Sequence, residues 1–340
     1  LDAVVLAVGG SAYADPYRLS TAPNYLPSPY PLAKHATNIP RGCRVGILGT
    51  GLAAVDVAVT LDALGHDGPI TMFGRSGQLP TVRGPQTSYK LTHLTPTAIE
   101  NAAKNAPLSI DAVSRMIQDE LRAAGSSPQL LLRAMRPQPP LARLSAQLDA
   151  FLTSSDIGPQ ILQIAVATVG QDLWYLLDTT AKHWVLDHLH RTVMALCCPM
   201  PAFNATRIAK LLATGQLTVH AGITAVHPAR SGGFTVATGT GPTAVDLLVN
   251  TITPARRHTP HAARGLIDHA IATGLLHPNP AGGVHVFRHT SQALDVQGRA
   301  NPHLYILGEL TSGAFYFISG MPVLAKRSAD IAHHITRHTY

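Results

Sequence analysis

The run Val45-Gly46-Ile47-Leu48 passes through Gly49-Thr50-Gly51-Leu52-Ala53-Ala54 straight into Val55-Asp56-Val57-Ala58-Val59-Thr60-Leu61. A strand that turns this sharply into a helix needs glycine twice. The first makes the tight turn, and the second lets backbone amides approach a pyrophosphate. The helix then directs its positive N-terminal end at the phosphates. Ala54 stands where a third glycine often sits, and a methyl group still permits close helix–strand packing. Gly65-His66-Asp67-Gly68 stops the helix, and Pro69-Ile70-Thr71-Met72-Phe73-Gly74 reads as the next strand. The turn therefore belongs to a βαβ unit of mononucleotide-binding length. Gly49, Thr50, Gly51 and Leu52 are its candidate phosphate-binding residues.

The end of the second strand selects the nucleotide. NAD sites place Asp or Glu there to accept from the ribose 2′-hydroxyl. This chain has Gly74-Arg75-Ser76-Gly77 instead. An arginine and a hydroxyl suit a 2′-phosphate through charge-assisted hydrogen bonds. Arg75 and Ser76 thus predict NADPH over NADH, with Arg83 a second candidate for the same phosphate.

Upstream, Asp2-Ala3-Val4-Val5-Leu6-Ala7-Val8 followed by Gly9-Gly10 reads as a buried strand and glycine turn. The Pro- and Tyr-rich stretch from about residue 11 to 41 reads as an ordered, non-helical linker. From about residue 95 to 214 the period becomes helical, as in Ala112-Val113, Met116-Ile117 and Glu120-Leu121. Such a block inside a Rossmann unit is an insertion, expected as a lid or a dimer surface. Strand patterns return at residues 216–220, 233–236, 245–250, 282–286 and 304–308, with helices at 263–276 and 321–338.

Composition bounds what the 340 residues can be. Hydrophobic content of 46% against 13% charged describes a folded chain with room for two domains. The net charge of +7 is scattered, with no basic run and only 5% aromatics. That argues against nucleic acid and for anionic small molecules. No apolar run reaches the roughly 18–20 residues of a membrane span. No secretory leader is evident, and the opening at Leu1 inside an apolar run reads as a cut edge. Three cysteines make no disulfide framework, so the cytoplasm is the expected setting and Cys197-Cys198 reads as buried thiols. The 18 histidines show no zinc spacing. Asp187 and His190, three apart on a helix, either pair or simply face solvent.

The order of these pieces resembles the FAD/NAD(P)-binding flavoprotein family that includes FAD-dependent urate hydroxylase and aspartate N-monooxygenase. The matching segments are Asp2 to Gly9, Gly49 to Leu52 with Val55-Asp56, the step Met200-Pro201 with Asn204-Ala205, and Leu304-Tyr305-Ile306-Leu307-Gly308-Glu309-Leu310-Thr311-Ser312-Gly313-Ala314-Phe315. The resemblance implies an α/β fold: a Rossmann-type NADPH-binding domain at residues 41–254, with a helical insertion at about 95–214. Residues 1–40 and 255–340 would flank it as parts of an FAD-binding domain. It further implies that Gly9, Gly308, Glu309, Ser312 and Gly313 meet FAD, and that NADPH reduces the flavin for monooxygenase-like chemistry on a small-molecule substrate. The chain departs from the family at Leu196-Cys197-Cys198-Pro199 and at Asn250-Thr251-Ile252-Thr253-Pro254, where a glycine is lost. The family's own FAD glycine motif precedes the strand that Asp2 opens. The resemblance therefore implies a fragment, a degenerate nucleotide-binding member without catalysis, or one part of a split enzyme. The last needs a partner chain to supply the FAD-binding segment; a homo-oligomer is the other expected assembly.

Overall fold

The computed structural model describes residues 2–10, 13–85, 87–129, 136, 138–153, 156–230, 232–253, 263–318 and 320–338. In chain order the first elements are β1 (Val4–Leu6), β2 (Tyr25–Leu26), α1 (Leu32–Ala36), β3 (Val45–Leu48), α2 (Leu52–Ala63) and β4 (Ile70–Gly74). A helical block follows: α3 (Pro96–Ala102), α4 (Ile110–Ala123), α5 (Pro140–Thr153), α6 (Gly158–Leu176), α7 (Thr179–Trp184), a π-helical turn (Val185–Leu189) and α8 (His190–Cys197). Then come α9 (Ala202–Ala213), β5 (Leu217–Ala221), β6 (Ala225–Pro228), β7 (Phe234–Thr238), β8 (Gly241–Val245) and β9 (Leu247–Asn250). The C-terminal part holds α10 (Arg264–Ala272), β10 (Gln292–Leu294), β11 (Ala300–Ile306), a 3-10 turn (Glu309–Thr311), α11 (Ser312–Phe315) and α12 (Met321–His338).

Five strands form a parallel sheet in the order β2-β9-β3-β4-β5. Its central strands are apolar on both faces because both faces are covered. Val45, Ile47, Ile70 and Met72 point to one side, where Val55, Ala58 and Leu61 of α2 meet Ile208 and Leu211 of α9 and Leu144 of α5. Leu48, Phe73 and Leu248 point to the other, under Phe234, Val236 and Val245 of an antiparallel meander, β6-β7-β8. Gly46 lies on this second face, where a Cβ would stand 2.7 Å from Leu248 Cδ1 and 3.0 Å from Val245 Cγ2. A third sheet, β1-β11-β10, pairs β1 and β11 in parallel, with Leu6 opposite Ile306.

The Pro-rich stretch is not uniformly non-helical: it carries the short helix α1, and β2 adds a strand to the parallel sheet beside β9. Pro31 stands at the N-cap of α1, the end of a helix that proline does not disrupt. Residues 282–286, expected as a strand, make only isolated bridges, Val284 with Pro278 and Val286 with Ala293. The helical block lies between β4 and β5, as expected. Four residues of α6 tie it to the C-terminal part: Gln171 Nε2 donates to Phe317 O (2.8 Å), Trp174 Nε1 to Gly313 O (2.9 Å) and the Tyr175 hydroxyl to Val286 O (3.1 Å), while Asp172 accepts from Arg288 Nε (2.7 Å). Tyr316 is buried in the block's own core with Leu94, Ile99, Val169 and Trp174.

Candidate functional site

The strand order reverses between β9 and β3, which opens a crevice at the carboxyl ends of these strands. Gly49 makes the turn there at φ +126°, and its amide donates to Phe73 O at 2.7 Å. A Cβ on Gly49 would fall within 2.3 Å of Thr251 Oγ1, whose hydroxyl donates to Leu48 O at 2.7 Å. Glycine is required here by both backbone and neighbour. Gly51 differs. It is the N-cap of α2 at φ −81°, and its Cβ position opens onto empty space. Among the described residues no side chain caps the helix, and no acidic residue occupies its first turn. The first amides and the positive end of the helix dipole are therefore left for an external anion. Thr50 faces inward, its hydroxyl donating to Gln78 O at 2.8 Å and fixing the turn against the loop after β4. Leu52 stands at the rim, 39% exposed.

At the end of β4, Gly74 leaves room for Thr50, because a Cβ would be 2.8 Å from Thr50 Cγ2. Arg75 and Ser76 follow, both exposed; Arg75 O accepts from Gly222 N at 3.2 Å, which anchors the backbone and leaves the guanidinium outside. Arg191 of α8 comes within electrostatic reach of Arg75. Burial first, and the like charge of Arg75 second, hold the Arg191 guanidinium below its usual range. Tyr17 shares this environment; burial raises its hydroxyl and Arg75 works against that rise. Among the described residues no ion pair involves Arg75 or Arg191. Two guanidinium groups of like charge, with no ion pair among the described residues, leave positive charge at this strand end. Arg83 has its backbone amide on Met200 O (2.8 Å), at the start of the helical block, and its side chain is exposed.

The second candidate edge is the carboxyl end of the β1–β11 pair. Leu307 N donates to Leu6 O at 3.0 Å, so the segments that follow, Gly9 (φ +73°) and Gly308 (φ +83°), leave from the same sheet end. Among the described residues, neither glycine has an atom within 4 Å of its Cβ position. Glu309 begins the 3-10 turn that Thr311 closes by donating to Gly308 O at 2.7 Å. Ser312 and Gly313 are buried instead. Gly313 N donates to Gly282 O (2.8 Å), its carbonyl accepts from Trp174, and a Cβ would stand 2.2 Å from Gly282 O. The glycine at 313 serves packing against the 279–282 loop. Thr253, at the site of the lost family glycine, is exposed, and Pro254 lies outside the described residues.

Sequence reasoning missed Tyr316 altogether. It sits at φ +57°, ψ −57°, the centre of a strained γ-turn closed by Phe317 N donating to Phe315 O at 2.6 Å. Its ring stacks on Trp174 at 4.3 Å, and its hydroxyl bonds His190 Nδ1 at 2.7 Å. His190 therefore bonds a tyrosine 126 residues away, and Asp187 is exposed. A π-helical turn just before His190 is the local irregularity that accompanies this placement. Arg191 was also missed, since its link to Arg75 exists only once α8 returns to the sheet end. Cys197 is a thiol, pushed by burial up to about 12, with Cys198 adding to the rise. Among the described residues, no group of three or more His, Cys, Asp or Glu could hold a metal ion, and no helix is long and apolar enough to cross a membrane.

No protein-family model matches the chain, and no curated protein does. Solved structures do. L-lysine 6-monooxygenase from Pseudomonas syringae superposes with a TM-score of 0.50 at 14% identity, over 98% of this chain and 63% of that one. The FAD-bound cadaverine monooxygenase of desferrioxamine biosynthesis from Erwinia amylovora gives 0.49 at 12% identity, over 99% and 61%. Reduced ornithine hydroxylase from Pseudomonas aeruginosa gives 0.47 at 12% identity, over 100% and 63%. The chain thus spans less than two thirds of the length of each. What the first of these shows is fold: an α/β chain built on a parallel sheet, with a Rossmann-type dinucleotide-binding domain.

Proposed function

We propose that this chain serves an FAD- and NADPH-dependent oxidoreductase of the monooxygenase kind. The observation that carries the reading is the uncapped start of α2 facing open space at Gly51, with Arg75 and Arg191 at the adjoining strand end. NADPH supplies hydride when bound, and FAD, when bound, accepts it and passes electrons onward. The amides at the start of α2 receive the pyrophosphate. Arg75, Ser76 and Arg191 hold the phosphorylated ribose. Gly9 and Gly308 offer bare backbone at the end of β1 and β11, and the Glu309 turn extends that edge, which suits close approach by a flavin nucleotide.

Residues 41–254 form the NADPH part in this reading, and 1–40 with 255–340 the flavin part, except that β2 belongs to the parallel sheet. The substrate is a small molecule, the setting cytoplasmic, and the assembly a homo-oligomer. The purified protein titrated with NADPH and with NADH, by quenching of intrinsic fluorescence, tests the nucleotide assignment; its visible absorbance tests for flavin. Saturable binding with NADPH the tighter by tenfold or more supports the reading. Equal affinity for the two, or no binding, overturns it.

A further inference from the structure

Beside the end of β4 lies a cavity of about 250 Å³ whose walls come from two distant parts of the chain. Ser76 and Gln78 line it from the loop after β4; Arg136, Arg143, Gln147 and Thr192 line it from the helical block. Arg143 of α5 is the unusual member. Its Nη1 donates to Leu79 O at 3.3 Å, and with the Gln78 amide turned to face it, to that side-chain oxygen at 3.1 Å. Both acceptors are neutral. Among the described residues its Nε is buried without a partner, and no carboxylate lines the cavity. This half-buried guanidinium meets no counter-charge among the described residues, and an anion entering the cavity would supply one. Burial keeps this guanidinium below its usual range, in keeping with the missing counter-charge.

The cavity also adjoins the cationic pair already described. Ser76 follows Arg75, and Thr192 follows Arg191, so the two hydroxyl residues of the lining are chain neighbours of the two rim arginines. Its volume is below the roughly 300–1,000 Å³ of sites that enclose whole ligands, so it takes part of a molecule.

We propose that Arg143, with Thr192 and Ser76, forms the inner subsite for the 2′-phosphate of NADPH, making the helical block a determinant of nucleotide choice. This rests on the proposed nucleotide site at Gly51 and Arg75. The guanidinium supplies paired N–H donors to a phosphomonoester, and the hydroxyls add two more.

Calorimetric titration of wild type, Arg143→Gln, Thr192→Val and the surface control Arg122→Gln with NADPH, NADH, 2′-AMP and inorganic phosphate tests it. Arg143→Gln is expected to weaken NADPH and 2′-AMP tenfold or more and to leave NADH unchanged. Thr192→Val, which keeps the arginine, is expected to weaken NADPH three- to tenfold and serves if Arg143→Gln fails to fold; the control stays at wild-type values. Wild-type binding of NADPH by Thr192→Val, and by Arg143→Gln wherever it folds, overturns the subsite while leaving the nucleotide site standing, provided wild type still prefers NADPH. A wild type that binds neither nucleotide, or both alike, overturns the nucleotide site and this subsite together. Inorganic phosphate as tight as 2′-AMP, lost equally in Arg143→Gln, overturns the assignment to the nucleotide.

Discussion

The Tyr316 hydroxyl lies 2.7 Å from His190 Nδ1, joining a residue of the C-terminal part to the first residue of α8. Tyr316 is 2% exposed and holds a backbone conformation that L-residues rarely adopt, so surrounding packing must impose it. Stacking on Trp174 is the main such restraint, and the hydrogen bond to His190 fixes the ring's far end. Tyr316→Phe keeps the stack and loses the bond. It is expected to cost about 0.5–1.5 kcal/mol. Urea unfolding of Tyr316→Phe, His190→Ala and the double variant checks this. A double variant less destabilised than the sum of the singles identifies the pair as coupled.

The two turn glycines separate structure from binding. Gly49→Ala places a methyl against Thr251 at a φ suited to glycine, and is expected to lose about 1–3 kcal/mol of stability. Gly51→Ala meets no atom and needs no unusual φ, so its melting temperature should stay near wild type. Its methyl does intrude where the pyrophosphate approaches. NADPH affinity should fall at least tenfold, about 1.4 kcal/mol. Thermal melts paired with fluorescence titration distinguish the two cases.

Arg75 is exposed and outside any ion pair among the described residues, so its removal should spare the fold. Arg75→Ala is expected to weaken NADPH about tenfold and NADH by less than twofold. Raising salt should narrow the NADPH/NADH ratio in wild type more than in the variant, because screening acts on the exposed charge. Titrations at two ionic strengths measure both effects.

The βαβ unit was legible because its signals are local: two continuous apolar runs, two glycines and a helix stop within thirty residues. The crevice at Gly51 followed from the same few residues. Other features depend on distant contacts. The edge strand β2 is two residues long and exists because Tyr25 pairs with Leu248. That a Cβ at Gly313 would stand 2.2 Å from Gly282 O is visible only in the fold. Tyr316 and Arg191 carry no pattern at all; their partners, His190 with Trp174 and Arg75, come from other parts of the chain. Glu120 counted in the sequence as one mark of helical period, and it is a wholly buried carboxylate.

That carboxylate predicts a pH dependence. Glu120 accepts from the Tyr89 hydroxyl (2.6 Å) and from the amides of Thr92 (3.0 Å), His93 (2.7 Å) and Leu94 (2.6 Å), pinning the loop before α3. Burial pushes its pKa up, but the Tyr89 bond and the amides of Leu94, Thr92 and His93 outweigh this and hold it below the ordinary value. Its stabilising contribution is full above the ordinary carboxylate range. It declines as pH drops below that range and is gone below the depressed folded value. Glu120→Gln removes the charge-assisted bonds and should cost about 1.5–3 kcal/mol at neutral pH. Urea midpoints of wild type and variant between neutral and acidic pH should converge on acidification; a constant gap would contradict the assignment.

Arg327 of α12 joins the C-terminal part to the helical block. It is 8% exposed; Nη1 donates to Arg288 O and Nη2 to Gln171 Oε1, both at 2.8 Å, and the guanidinium lies 4.1 Å from the centre of the Phe315 ring. Arg288 in turn bonds Asp172 at 2.7 Å, so one guanidinium spans α12, α6 and the segment before β10. A lysine has no planar fork for two divergent acceptors and stacks less well on a ring. Arg327→Lys is therefore expected to destabilise by about 1–2 kcal/mol despite keeping the charge. Because Gln171 also donates to Phe317 O, the loss should spread to the strained turn at Tyr316. Amide hydrogen exchange at Phe317, whose N–H closes that turn, should quicken in Arg327→Lys but stay at its wild-type rate in the exposed-site variant Arg122→Gln.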